Sequence, residues 1–138
     1  MKLILFRGIP GSSKTTTAAK MFPGVVKFEN DQYFMRDGHY QWSKESMPAA
    51  ITWCTEMCRI ALDRGMDVVV CNTFTKRKFV EAYKSFVEEA GAEFIVYRCR
   101  GHFQNVHGLT DEMVRGFEKA MEDWPGEIIV DPPAEKLK

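Results

Sequence analysis

The feature that most constrains the fold is a glycine-rich segment at residues 8–15, with the sequence GIPGSSKT. Four apolar residues, 3–6, precede this segment, and residues 15–21 have the composition of a helix. A strand that leads through such a turn into a helix directs several backbone N–H groups at one point, and the positive end of the helix attracts an anion. This order of elements predicts a phosphate-binding loop.

The spacing in this loop follows the pattern G-x-x-x-x-G-K-[ST], except that Ser13 replaces the second glycine. In this pattern Lys14 bridges the β- and γ-phosphates of ATP, and the Thr15 hydroxyl binds Mg²⁺. If Ser13 needs a positive φ, it costs on the order of 1 kcal/mol and weakens the loop without abolishing it. The alternative is a generic turn with a solvated lysine. The predicted nucleotide-binding residues are Gly8, Pro10, Gly11, Ser12, Ser13, Lys14, Thr15 and Thr16.

Strands and helices alternate along the rest of the chain. Apolar residues recur every three or four positions over residues 46–64, which predicts a long helix with one buried face. Residues 67–71 form a nearly unbroken apolar run, typical of a strand buried on both faces of a parallel sheet. The pattern predicts an α/β sandwich with a mostly parallel sheet. We expect helices over 15–21, 46–64, 76–90 and 110–122, and strands over 2–6, 25–28, 67–71, 93–97 and 128–130.

Length and composition predict a single domain. The chain has 138 residues, of which 45% are hydrophobic, enough to build one core. We expect this domain to span residues 1–131 and residues 132–138 to form a loose tail. Lys and Arg total 19, as do Asp and Glu, so an anionic partner must be held by a local patch. The first apolar run is too short for a signal peptide or a membrane span, so we expect a cytoplasmic protein with neither a membrane partner nor an obligate protein partner.

The cysteines and two of the histidines do not have the spacing of a metal site. No C-x-x-C pair occurs, and a free cysteine packs as a small hydrophobe, so buried thiols are expected rather than a metal centre. His102 and His107 are five residues apart, which suits no common zinc spacing. The four predicted buried thiols are Cys54, Cys58, Cys71 and Cys99.

With the loop placed, residues 2–122 resemble the polynucleotide-kinase-like branch of P-loop kinases, a family that includes bacteriophage polynucleotide 5′-kinase and the NEDD4-binding-protein-2-like proteins. Residues 30–34, NDQYF, occupy the place of the family's catalytic Asp motif. Residues 50–73 are similar to its long helix and to its strand ending in Asp-Asn-Thr or Asp-Thr-Asn, and residues 105–115 to its Arg-Asn-x-His-Gly segment and following helix. The resemblance implies a three-layer P-loop NTPase fold with strand order 2-3-1-4-5.

The resemblance also implies an ATP- and Mg²⁺-dependent kinase in which Asp31 is the base that takes the proton of a substrate hydroxyl and, with Thr15, lies at the metal. The alternative for Asp31 is a turn or cap residue. Three departures matter besides the loop serine. Cys71 stands where the family often has a metal-associated aspartate, Gln104 replaces its lid arginine, and Phe34 replaces an arginine found in phage kinases. With Cys71 in place of that aspartate, Mg²⁺ binding is expected to be weaker. The segment between Tyr97 and His107 is also short and lacks a helix that other members use to build the lid, so a short lid is expected over residues 98–108.

Several arginines could replace the lid arginine. Arg98 and Arg100 follow the fourth strand, where phosphates would lie, and Arg115 follows on the next helix; exposed loop arginines are the alternative. Arg36 could compensate for Phe34. A basic lip at residues 76–78 could meet a phosphorylated or polynucleotide substrate, or be an exposed first helical turn. Four aromatic residues could stack a base or pack under a loop: Tyr33, Phe34, Tyr40 and Trp42.

The acceptor is open at this stage. A nucleic-acid 5′-hydroxyl or a hydroxymethyl group on a modified base fits the resemblance. The neutral charge and the missing arginines leave a nucleoside or another small alcohol as alternatives. The opposing hypothesis is an ATP-binding module that has lost transfer activity, which Ser13, Cys71 and Gln104 suggest.

Overall fold

The central sheet has five parallel strands, with the first strand of the chain in the middle. The computed structural model describes residues 1–36, 38–101 and 110–131. Along these residues the elements are β1 (Lys2–Arg7), α1 (Lys14–Met21), β2 (Val26–Phe28), a 3₁₀ helix (Asn30–Phe34), β3 (Met35–Arg36), β4 (His39–Tyr40), α2 (Met47–Asp63), β5 (Val68–Asn72), α3 (Arg77–Ala90), β6 (Glu93–Cys99), α4 (Asp111–Ala120) and β7 (Ile128–Val130).

The strand order confirms the predicted fold class. Across the sheet the strands run β2-β5-β1-β6-β7, which is the order 2-3-1-4-5 when the five sheet strands are counted along the chain. All four neighbouring pairs are parallel, so the sheet is wholly rather than mostly parallel. The carboxyl ends of β1, β2, β5 and β6 therefore meet at one edge, where ligands of such sheets bind.

Alternate residues of β1 supply the two halves of the core. Leu3 and Leu5 pack in the cluster that contains buried residues of α2 and α3. Ile4 and Phe6 pack in the cluster that contains Ala18 of α1. Because neighbouring residues of a strand point to opposite faces, a strand buried on both faces reads as a continuous apolar run. The result is a three-layer arrangement with helices on both sides of the sheet.

The region after β2 contains a short helix and a hairpin that lie outside the central sheet. Asn30–Phe34 forms a 3₁₀ helix, and β3 and β4 form a small antiparallel hairpin in which Met35 pairs with Tyr40. Phe34 is 1% exposed, so it is a core residue of this excursion. Strands of two residues have no detectable alternation, and this is why the sequence pattern did not predict the hairpin.

All four cysteines are free and buried, which confirms the expectation of buried thiols. Burial raises the pKa of Cys58 and of Cys71 to about 12, so both stay protonated at neutral pH. In the part of the chain that the structure describes, no helix is long and apolar enough to cross a membrane. The predicted tail, residues 132–138, lies outside the described residues, as do His102, Gln104, His107 and most of the predicted lid.

Candidate active site

The predicted phosphate loop connects β1 to α1 at the carboxyl edge of the sheet. Gly8 donates its N–H to the carbonyl of Thr73 at 3.2 Å, and Ser12 donates to the carbonyl of Ile9 at 3.1 Å. A β-carbon at Gly8 would lie 2.5 Å from Ser12 Oγ and 2.7 Å from the carbonyl oxygen of Cys99. No side chain fits in that space, so glycine at position 8 is a requirement of the fold.

Ser13 has the conformation that glycine would adopt more easily. Its φ is 70° and its ψ is 28°, in the left-handed region, and it is the N-cap of α1 without a side-chain capping hydrogen bond. Ser13 therefore has the positive φ that the sequence analysis treated as a possibility. The hydroxyls of Ser12 and Ser13 are both buried and have no hydrogen-bond partner among the described residues. The loop leads into the amino-terminal end of α1, and the positive end of a helix attracts an anion such as a phosphate group.

Lys14 lies over the loop. Its Nζ donates hydrogen bonds to the carbonyls of Gly8 and Ile9, each at 3.0 Å. Burial lowers the pKa of Lys14 from its ordinary value, while the carboxylates of Glu29 and Asp31 oppose that shift. In the described part of the chain no carboxylate lies within 4.0 Å of this ammonium group, so a partly desolvated cation faces the loop. A phosphate would supply the missing counter-charge.

Glu29 is a site residue that the sequence interpretation missed. Thr15 Oγ1 donates a hydrogen bond to Glu29 Oε2 at 2.7 Å. Glu29 follows β2 and caps the 3₁₀ helix in a capping box with Gln32. Cys71 is buried, so the carboxylate at this edge comes from the end of β2 rather than from the end of β5. The sequence does contain a sign of this role, because Glu29 is a second acidic residue two positions before Asp31.

The Thr15 and Glu29 side chains fit the needs of Mg²⁺. A hydroxyl and a carboxylate are the hard oxygen ligands that this ion prefers, and it normally keeps several waters and uses substrate phosphates for the rest. The described residues contain no group of three or more His, Cys, Asp or Glu side chains placed to hold a metal, so they would supply only a few ligands. That is the usual arrangement in nucleotide-dependent phosphotransfer.

Asp31 lies in the first turn of the 3₁₀ helix, two residues beyond Glu29. Tyr40 Oη donates a hydrogen bond to Asp31 Oδ1 at 3.0 Å, so the hairpin holds the carboxylate. Burial, together with the Asp31 charge, raises the pKa of Tyr40 to about 12. The Asp31 charge acts on Lys14, but the Thr15 hydroxyl donates its hydrogen bond to Glu29 and not to Asp31.

Two asparagines tie the 3₁₀ helix to the end of β5. The Asn30 N–H donates to Asn72 Oδ1 at 2.8 Å, and Asn72 Nδ2 donates to Asn30 Oδ1 at 3.3 Å. Asn72 is the last residue of β5 and lies at the carboxyl edge of the sheet. These two hydrogen bonds position the segment that carries Glu29 and Asp31.

The candidate arginines are paired with carboxylates. Arg98 Nη1 contacts Asp123 and also Glu127, the latter at 3.1 Å. Arg100 makes a two-pronged contact with Asp131, at 3.1 and 2.8 Å. Both arginines, with Gly8 and Ile9 of the loop, line a cavity of about 230 Å³. They are close to the predicted phosphate position, but each already has a counter-charge.

Arg115 lies exposed on α4 and is not among the residues that line this cavity.

Two cations of the basic segment after β5, residues 76–78, make hydrogen bonds to backbone carbonyls. Lys76 Nζ donates to the carbonyl of Ala120 at 3.2 Å, and Arg77 Nε donates to that of Asp123 at 2.7 Å. Two of the three cations of the predicted basic lip therefore bind the last residue of α4 and the segment that follows it. Their role is to hold α4 against the start of α3.

A buried arginine joins the two sides of the site. Arg7 is 0% exposed; its Nε and Nη2 donate to the carbonyl of Phe74 at 3.1 and 2.6 Å, and its Nη1 pairs with Glu127 at 2.7 Å. Phe74 has a φ of 48°, which is unfavourable for an aromatic residue. Glu127 also pairs with Arg98. Arg7 thus fixes both the strained residue after β5 and the acid that holds Arg98.

The predicted base-stacking aromatics pack with one another. Tyr33 contacts Phe34 and Trp53, with ring centroids 5.6 and 6.2 Å apart, and Phe34 contacts Tyr40 at 6.2 Å. Trp42 is 52% exposed. The structure therefore favours the packing alternative for Tyr33, Phe34 and Tyr40.

Comparison with known proteins places these observations in a family. Residues 3–101, well over half of the chain, match the family described as an AAA domain. The chain belongs to that family. This AAA domain is also similar to an uncharacterised protein of Pasteurella multocida, PM0531, with 26% identity over 94% of this chain and 83% of that protein.

Solved structures share the fold of this AAA domain at low identity. A putative kinase from Chloroflexus aurantiacus superimposes with a TM-score of 0.68 and 16% identity, over 98% of this chain and 90% of that one. The Mycobacterium tuberculosis APS kinase CysC, solved with AMPPNP and APS, gives a TM-score of 0.66 and 14% identity, over 95% and 88%. The fold is therefore that of P-loop kinases, and these likenesses do not distinguish one branch of them.

Proposed function

We propose that this protein is an ATP- and Mg²⁺-dependent kinase that transfers the γ-phosphoryl group of ATP to a hydroxyl. The observation that carries this proposal is the loop at the start of α1, where the Lys14 ammonium group lies over the loop carbonyls and the Thr15 hydroxyl pairs with Glu29. Phosphoryl transfer depends chiefly on positioning and on charge neutralisation, and this loop offers both.

The residues have distinct proposed roles. The loop N–H groups and Lys14 bind the β- and γ-phosphates. The Thr15 hydroxyl would hold Mg²⁺, with the Glu29 carboxylate beside it, and the ion when bound neutralises charge on the phosphates. Asp31, oriented by Tyr40, would accept the proton of the acceptor hydroxyl. Arg98 and Arg100 would act on the phosphates only after their ion pairs with carboxylates are broken.

The test is the variant Lys14→Ala, with Lys20→Ala as the matched control. Both lysines are in α1, but Lys20 is exposed in its last turn, away from the loop. We expect Lys14→Ala to remove most ATP binding in calorimetry and most phosphoryl transfer, because the cation facing the phosphates is gone. Lys20→Ala should match the wild type. Unchanged affinity and turnover in Lys14→Ala would refute the proposal.

A second candidate is an ATP-binding module without transfer activity. The ion pairs of Arg98 and Arg100 favour it, since a cation already neutralised by a carboxylate contributes less to a transferring phosphate. ATP affinity without turnover on oligonucleotide 5′-hydroxyls, hydroxymethylated DNA, nucleosides and other small alcohols would support this candidate. A nucleic-acid or nucleotide-type acceptor, as in the polynucleotide-kinase-like branch, stays a prediction from the resemblance.

A further inference from the structure

A cavity of about 260 Å³ opens next to the phosphate loop, between α2, α3 and the residues that follow β5. We call it the α2–α3 pocket. Thr73 lines it, and the Thr73 carbonyl accepts the hydrogen bond of Gly8 in the loop. Asn30, which lies between Glu29 and Asp31, also lines it. The pocket therefore lies beside both the phosphate loop and the segment that carries the proposed base.

The lining of the pocket carries no charge. It is formed by Asn30, Met47, Ile51, Thr55, Asn72, Thr73, Phe74, Thr75, Phe79, Ala82, Tyr83 and Phe117. Most of these side chains are apolar or aromatic, and the side-chain oxygens of Asn30 and Asn72 already accept hydrogen bonds from within this pair of residues. The nearby cations Lys76 and Arg77 are bound to the carbonyls of Ala120 and Asp123. Burying an anion here without a charged partner would be costly.

Tyr83 contributes its ring to the pocket rather than a polar contact. The residue is 4% exposed, and its hydroxyl is buried beside Cys54 and Thr55. Burial raises the pKa of Tyr83, so the phenol stays protonated. Because this hydroxyl is shielded from the pocket, the ring of Tyr83 adds to the apolar wall.

We propose that the α2–α3 pocket is the acceptor site of the proposed kinase, and that it takes an uncharged alcohol built on an aromatic or heteroaromatic ring. A dry apolar cavity of about 150 Å³ holds benzene, so this volume suits a one- or two-ring body with a short hydroxyl-bearing arm. The inference depends on the proposed function. It argues against a phosphorylated sugar or a nucleic-acid strand as the acceptor.

The reaction at this site is a single transfer. The acceptor oxygen forms a bond to the γ-phosphorus as the bond from that phosphorus to the β,γ-bridging oxygen breaks, and both electrons of the broken bond stay on ADP. The hydroxyl proton passes to Asp31 and then to solvent. The products are a phosphomonoester, ADP and one proton.

The first experiment measures binding without turnover. Indole-3-ethanol and 2-phenylethanol are added to the full chain, and saturation-transfer NMR records their binding. We expect Ile51→Gln to weaken binding at least about fivefold by removing an apolar wall. Ile60→Gln is the matched control, since both isoleucines are in α2 and are 43% and 42% exposed, but Ile60 does not line the pocket. No binding, or equal loss in both variants, would overturn the inference.

The second experiment measures transfer. ADP release and product mass are followed with the two aromatic alcohols, adenosine, gluconate, AMP and an oligothymidylate with a free 5′-hydroxyl. We expect transfer to uncharged ring-bearing alcohols, with a KM that rises several-fold in Ile51→Gln while kcat holds. Preferred transfer to gluconate, AMP or the oligonucleotide would overturn the inference but support the proposed kinase. Aromatic binding that persists in a protein without ATP affinity would instead refute only the kinase.

Discussion

Replacing Ser13 by glycine tests whether the phosphate loop holds backbone strain. Ser13 has a φ of 70°, where a β-carbon costs roughly 1 kcal/mol relative to glycine. Its hydroxyl is also buried without a hydrogen-bond partner in the described part of the chain, which adds a penalty of similar size. We therefore expect Ser13→Gly to raise the free energy of unfolding by about 1–2 kcal/mol. For a domain of this size that corresponds to a Tm increase of roughly 3–6 °C.

The assay combines thermal unfolding with ATP titration in a calorimeter. Ala19→Gly is the matched control, because Ala19 is exposed within α1 and glycine there should lower stability by about 1 kcal/mol. Substitution by glycine should thus raise the free energy of unfolding at position 13 and lower it at position 19. ATP affinity of Ser13→Gly should hold or rise. A lower Tm would refute the strain argument, and a clear loss of affinity would mean that the Ser13 hydroxyl itself binds phosphate.

Three further predictions concern the carboxylates and the buried arginine. Asp31→Asn should leave ATP affinity within a few fold and lower transfer by roughly 10²-fold or more, the usual loss for a general base; reduced stability with normal transfer per folded molecule would make Asp31 structural. Glu29→Gln should raise the Mg²⁺ concentration for half-maximal activity about tenfold, and an unchanged Mg²⁺ titration would exclude its metal role. Arg7→Met should lower the free energy of unfolding in urea by about 3 kcal/mol or more, whereas Arg59→Met, which removes an exposed pair, should change it by less than about 1 kcal/mol.

Local sequence patterns were sufficient for the parts of the fold that depend on local physics. The apolar run of β5 and the three-and-four periodicity of α2 predicted elements whose observed bounds, Val68–Asn72 and Met47–Asp63, differ by one residue at each end. The possible left-handed conformation at Ser13 followed from the loop pattern alone. These features depend on neighbours within a few residues, so the sequence displays them directly.

Long-range pairs were not predictable in the same way. Arg7 and Glu127 are 120 residues apart, and nothing near either residue indicates that one pairs with the other. The partners of Arg98 and Arg100 come from residues 123–131, which pack beside β6 only once the sheet has formed. Glu29 was missed for another reason, since the resemblance directed attention to Asp31. Which acid contacts Thr15 depends on where β2 ends and how the 3₁₀ helix turns.

The hydrogen bond from Gly8 to Thr73 has a thermodynamic consequence. Gly8 begins the phosphate loop, and Thr73 lines the α2–α3 pocket, so one backbone hydrogen bond joins the loop to the pocket. A shift of Gly8 on nucleotide binding must either move Thr73 or break that contact. If the two sites are coupled in this way, the factor by which the acceptor changes ATP affinity equals the factor by which ATP changes acceptor affinity. Titrating each ligand in the presence of the other would measure that cooperativity.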